Sequence, residues 1–142
     1  MPPRVKTSSS PTSTLPKSLD RARAAARAAA ENNAKDVLLL DVRQQTSLFD
    51  YFMIATGRSG RQLRAISDEI DNVLQNEYGD QRMGTEGYRD SRWIVLDYGD
   101  VVIQLFDEPS RKYYQLDELW GDALRIDISD ITAVTDAPAA SE

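Results

Sequence analysis

The chain has 142 residues, enough for one domain with its own hydrophobic core. Its 17 Lys and Arg stand against 23 Asp and Glu, a net charge of −6, and it contains neither histidine nor cysteine. Those two absences exclude disulfide frameworks, Cys/His zinc sites, cysteine nucleophiles and Ser-His-Asp triads; any metal would be a hard cation held by oxygens.

Residues 1–16 are rich in Ser, Thr and Pro and carry almost no apolar content, so they read as a disordered tail. Residues 17–130 read as one α/β domain and 131–142 as a second, Ala/Pro/acidic tail. The tails carry Arg4 and Lys6 against Asp136 and Glu142, so the whole −6 sits on the body. That charge argues against wrapping bare nucleic acid and suits a basic protein partner. No stretch approaches the roughly 20 apolar residues of a membrane span, and the first residues lack the apolar run of a signal peptide, so an intracellular protein is expected.

Lys17 to Ala34 is rich in Ala and Arg and predicts a helix with Ser18 as its N-cap, few large apolar anchors, and Arg23 and Arg27 on a solvated side. Asp36–Val42 and Asp50–Thr56 are nearly continuous apolar runs of strand length, expected in a sheet covered on both faces. From Ser59 to Tyr78, Leu63, Ile66, Ile70, Val73 and Leu74 form a helical stripe. Ser59 and Gln62 have capping-box spacing, and Gly79 supplies the stop. Gly57 to Arg61, between strand and helix, resembles an anion loop only weakly; it has no GxGxxG and no Walker Lys-Ser/Thr, and a capped helix with solvated Arg58, Arg61 and Arg64 explains it.

After a stretch that leaves room for one short strand, Arg92–Leu96 and Val101–Phe106 predict a hairpin, with Tyr98-Gly99 as a two-residue loop. Pro109–Trp120 predicts a helix stopped by Gly121, and Arg125–Ile128 a last edge strand. Helices and strands that mix without strict alternation point to a mixed sheet flanked by helices, and the run from Asp50 to the hairpin is long enough for a βαβ crossover.

With that loop, Asp97 would face Asp100 across the hairpin, while Ile94, Leu96, Val101 and Ile103 would share a core face opposite Trp93, Val95, Val102 and Gln104. Two carboxylates about 5 Å apart repel by roughly 1 kcal/mol in water-like dielectric. Three readings are open: solvated turn formers, a metal ion between the acids, or a basic partner docked on the tip, which an adjacent tryptophan would suit. A strand, Gly-Ser turn, helix and later acids also describe Mg²⁺-dependent nucleotidyl or phosphoryl transferases. Here, however, the acids do not alternate on a strand after the turn.

Three segments then carry a resemblance: SLFDYFMIATGRSGRQLRAISDEID (Ser47–Asp71), EGYRDSRWIVLDYGDVVIQLF (Glu86–Phe106) and YYQLDELWGDA (Tyr113–Ala123). In this order and spacing the chain resembles the ribosomal silencing factor (RsfS, or Iojap) family, from about Ser18 to Ile128. The resemblance implies an α/β fold with a mixed sheet and nucleotidyltransferase-like topology, but without the catalytic acids. It implies a translational repressor that is not an enzyme, needs no cofactor and holds no metal. Such a factor binds the large ribosomal subunit through a basic protein, the fourteenth of the L series, and sterically blocks joining of the small subunit when nutrients are short. The resemblance also implies cytoplasmic location, homodimers when free, ribosomal RNA contact no more than incidental, and in organelle relatives a role in large-subunit assembly. Carried over residue by residue, partner binding falls on Trp93, Asp97, Tyr98 and Asp100, with Tyr88 and Arg89 behind them. The chain departs from the family at Gln104, where many members carry histidine, and in its longer Ser/Thr/Pro head.

Overall fold

The structure, a computed structural model, describes residues 17–114 and 123–131. Both expected tails, apart from Ile131, and the expected helix beyond Tyr114 lie outside those residues. The elements run α1 (Ser18–Glu31), β1 (Lys35–Asp41), β2 (Tyr51–Gly57), α2 (Gly60–Tyr78), β3 (Gly84–Glu86), β4 (Trp93–Asp97), β5 (Val101–Asp107), α3 (Glu108–Tyr114) and β6 (Leu124–Arg125).

The six strands form one mixed sheet in the order β3-β4-β5-β2-β1-β6. β2 and β5 pair in parallel, from Tyr51 opposite Val101 to Gly57 opposite Asp107; every other neighbouring pair is antiparallel. The parallel pair needs a crossover, and α2 with β3 and β4 supplies it. The short strand for which the sequence leaves room is β3. The last edge strand, expected over Arg125–Ile128, is the two-residue β6, Leu124–Arg125, which overlaps that expectation only at Arg125.

Both faces of the sheet are apolar because its centre is enclosed. Every residue of β2 is buried, which is why its sequence is continuous rather than alternating. β1 departs from that expectation: its first four residues are exposed or half-buried and only Leu39, Leu40 and Asp41 are buried. One face packs under α1 and α2. There Leu39, Met53, Ile94, Leu96, Ile103 and Leu105 meet Leu63, Ile66, Ile70 and Leu74 of α2 and Ala22, Ala25, Ala26 and Ala29 of α1. A fully buried Leu or Ile is stabilising by about 1.5–3 kcal/mol. The alanines instead let the axis of α1 lie close to its neighbours. The other face gathers Leu40, Val42, Phe52, Ile54, Val102, Phe106 and Ala123, with Phe49, Trp93 and Val95 partly buried against them.

The caps follow local chemistry. Ser59 Oγ accepts from Gln62 N at 3.1 Å, and Gln62 Oε1 accepts from Arg58 N, one residue beyond the usual reciprocal partner, the N-cap N–H. Gly79 ends α2 at φ 67°, in the left-handed region that favours glycine. At α1 the expectation fails. Lys17 occupies the N-cap position without a side-chain cap, and Ser18 is already helical, its Oγ donating to Asp50 Oδ2 at 3.1 Å.

Candidate functional site

The hairpin β4–β5 carries the expected site, and its register differs from the sequence reading. Asp97 lies opposite Val102, Leu96 opposite Ile103 and Trp93 opposite Phe106. Tyr98 N donates to Val101 O at 2.9 Å, so the two loop residues are Gly99 and Asp100, not Tyr98 and Gly99. Gly99 takes φ 90° while Asp100 does not enter that region; a glycine at the first loop position is the residue such a turn demands. Moving the turn by one residue leaves each side chain on its expected face. The exception is Asp100, which leaves the strand for the loop.

The two acids therefore never oppose each other. Asp97 Oδ1 accepts from Gly99 N at 2.8 Å and steadies the turn. Asp100 accepts from both terminal guanidinium nitrogens of Arg21, Nη1 at 3.0 Å and Nη2 at 2.5 Å, and Nη1 also donates to Asp80 Oδ2 at 2.5 Å. Arg21, on α1, is only 3% exposed. The compensation that the sequence sought from a metal or a partner is internal. Burial pushes the Asp80 carboxyl above its usual range, against the pull of Arg21 and with some repulsion from Asp100. Tyr98 is no exposed loop residue either: it is buried in the helix-covered face and its hydroxyl donates to Asp71 Oδ1 at 2.8 Å. Burial, then that hydrogen bond, raises its pKa far above the ordinary tyrosine value.

Trp93 sits at the other end of β4, on the second face. Its ring stacks on Phe106 at 5.0 Å and its Nε1 donates to Gln104 Oε1 at 3.2 Å, while the indole stays half-buried. Gln104 thus fixes the tryptophan's orientation. Val95 and Asp97 continue this half-exposed row along the strand.

Tyr88 lies on the helix side instead, its hydroxyl donating to both oxygens of Asp68 on α2 at 3.1 Å, and Arg89 beside it is exposed. Of the six residues singled out, the structure groups Trp93 with Asp97 on one face. It turns Tyr98 and Asp100 inward and places Tyr88 and Arg89 beyond the far end of β4. Arg21 and Asp80 went unnoticed in the sequence. The signal was present: Arg21 lies on the inward stripe with Ala22, Ala25 and Ala29, where a charged residue requires a buried partner.

Among the described residues no group of three or more acids could hold a metal ion, and no helix is long and apolar enough to cross a membrane. Asp97 and Asp100 are engaged separately, the one by Gly99 N and the other by Arg21.

Comparison with known proteins agrees with the residues. A family model described as "Ribosomal silencing factor during starvation" matches residues 15–142. The ribosomal silencing factor RsfS of Bacillus subtilis is 40% identical over 104 residues, covering 73% of this chain and 87% of that protein. That of Halalkalibacterium halodurans is 36% identical over 107 residues, covering 75% and 91%. The chloroplastic Iojap protein of Arabidopsis thaliana is 32% identical over 103 residues, covering 72% of this chain and 42% of that protein. A crystal structure of a Chromobacterium violaceum protein superposes with a TM-score of 0.72 at 32% identity, over 75% of this chain and 88% of that one.

Proposed function

The chain belongs to the ribosomal silencing factor family, and on that basis we propose that it represses translation by occupying the large ribosomal subunit where the small subunit must dock. The family is one of regulatory factors rather than enzymes. In this reading the chain acts in the cytoplasm, under nutrient limitation. It grips a basic ribosomal protein, the fourteenth of the L series, and needs no catalysis or cofactor.

The observation that carries the reading is the half-exposed row Trp93, Val95, Asp97 on β4. An indole held rigid by Phe106 and Gln104 loses little side-chain entropy on binding, which is what makes tryptophan an interface anchor. Asp97 adds a negative charge on the same face for a basic partner. Tyr98 and Asp100 serve the grip by bracing the hairpin tip against α1 and α2. Tyr88 and Arg89, beyond the far end of β4, stand outside this grip.

The test is co-sedimentation with purified large subunits, followed by a subunit-joining assay. Trp93→Ala is expected to weaken binding by at least about 2 kcal/mol, roughly thirtyfold, with the fold intact. Asp97→Lys should slow association and flatten its salt dependence. Wild-type affinity in both variants would retire this face as the docking surface.

A further inference from the structure

The net charge of −6 conceals a polarised molecule. At the hairpin-tip end of the sheet lie Asp50, Asp80, Asp97 and Asp100. At the opposite end the fold draws together arginines that are far apart in sequence. Asp107 lies beside Gly57 in the parallel ladder, and its N–H donates to Arg92 O at 3.0 Å. The backbones of Arg92 and Arg58 are therefore about two strand spacings apart, roughly 10 Å.

The first turn of α2 also touches the turn after β3. Arg64 Nη1 donates to Ser91 Oγ, and a Cβ added at Gly60 would come within 2.8 Å of Ser91 Cβ. Arg58 and Arg61 on one side and Arg89 and Arg92 on the other are all exposed. None of these four side chains has an ion pair or hydrogen bond among the described residues, whereas Arg21, Arg23, Arg43, Arg82 and Lys35 each hold an acid. Of the neighbouring acids, Glu108 is paired with Lys35, whereas Asp107 and Asp68 accept only from the neutral donors Ser110 N and the Tyr88 hydroxyl. They and Asp90, in the same turn, offset part of the arginine charge.

We infer that this arginine-lined end, formed by Arg58, Arg61, Arg89 and Arg92, is a second docking surface that takes the phosphate backbone of RNA. Four unpaired guanidinium groups on two adjacent turns match a ligand carrying a charge every few ångströms, not a single carboxylate. Guanidinium forks on exposed turns bind phosphates without reading bases, so the binding is sequence-independent. The inference rests on the large-subunit reading for its setting: the Trp93 row takes the ribosomal protein and the arginines take RNA beside it.

The test compares the wild-type chain with the quadruple variant Arg58→Gln/Arg61→Gln/Arg89→Gln/Arg92→Gln. Arg27→Gln/Arg125→Gln, which removes two exposed arginines away from this end, controls for loss of positive charge elsewhere on the surface. Each is titrated at several salt concentrations against three probes: purified large subunits, the isolated basic ribosomal protein, and a short RNA hairpin. Each phosphate that no longer meets a guanidinium should reduce the slope of log K against log salt by about 0.7–0.9. The quadruple variant is expected to lose about tenfold or more in subunit affinity at low salt, with the slope falling by about 3, and to bind the isolated protein as wild type does. The control pair should leave both unchanged.

Unchanged subunit affinity and slope would overturn the inference. So would an equal loss on the isolated protein, which would assign the arginines to a protein interface. If the wild-type chain does not bind subunits at all, the large-subunit reading fails instead. The RNA hairpin then decides alone: salt-dependent binding that disappears in the quadruple variant sustains the surface, and no binding removes it. Circular dichroism and an unchanged thermal midpoint establish that the variant is folded.

Discussion

Arg21 holds two carboxylates from two distant parts of the chain, Asp80 after α2 and Asp100 in the hairpin loop. Breaking a buried pair by removing one member strands the other charge, at a cost of about 3–5 kcal/mol. Arg21→Met is therefore expected to destabilise by that amount, read as a lower urea midpoint with an unchanged slope. Loss of less than about 1 kcal/mol would mean that Asp80 is hydrated when alone. The acids also differ in titration. Burial holds Asp80 above the usual carboxylate range, while the Arg43 guanidinium holds Asp41 below it. The signs are opposite. The Asp41 pairing stabilises the fold at neutral pH, and that contribution is lost as pH falls through its depressed pKa. Asp80 prefers its proton in the folded state, so its contribution weakens stability as pH rises through the ordinary range up to its raised value. Carboxyl-carbon NMR titration should find Asp80 titrating above Asp41; the reverse order would contradict the burial argument.

At the level of elements, the glycines in two turns decide where the functional strand lies. Gly87 has φ 80°, and a Cβ there would lie 1.9 Å from the Trp93 carbonyl; Gly99 has φ 90° with Met83 Sδ at 3.0 Å; Gly79 has φ 67° and open space. Alanine should cost about 1–2 kcal/mol at Gly79 from the backbone alone. It should cost more at Gly99 and most at Gly87, where the backbone of β4 itself must move. Thermal midpoints of the three variants check that ranking. Only Gly87→Ala should also disturb the fluorescence of Trp93.

The elements were largely legible in the sequence because periodicity and caps are local: the stripe from Leu63 to Leu74, Ser59 and Gly79 define α2 without tertiary help. The hairpin's existence and the faces of its residues were equally legible, since alternation fixes them. Its register was not, because Tyr98-Gly99 and Gly99-Asp100 are both acceptable loops. What decides between them is long-range: Asp71 accepts from the Tyr98 hydroxyl and Asp100 accepts from Arg21. The site was legible only as far as Trp93 and Asp97. Tyr98 and Asp100 proved to be braces, and their partners lie 27 and 79 residues away in sequence.

On the scale of the whole molecule, the segment after β6 binds the sheet edge to the helical layer. Ile126 N donates to Leu39 O at 2.8 Å, and Ile128 and Ile131 then enter the core shared with α1. Ile131 is 1% exposed, although the sequence reading puts it at the start of a tail. Arg23, expected on a solvated side, pairs with Asp130 there at 2.7 Å. Ile131→Ala should cost about 2–4 kcal/mol and speed hydrogen exchange in α1 more than in β5. Uniform exchange would mean that the segment is no separate clasp. The strand order has a further consequence during synthesis. β2, buried along its whole length, gains β1 from residues made before it, but its other neighbour, β5, is translated more than forty residues later. A nascent copy therefore emerges with a bare apolar strand edge that its own local contacts cannot close. A protein whose family restrains ribosomes thus needs the ribosome to carry synthesis through β5 before its sheet can close.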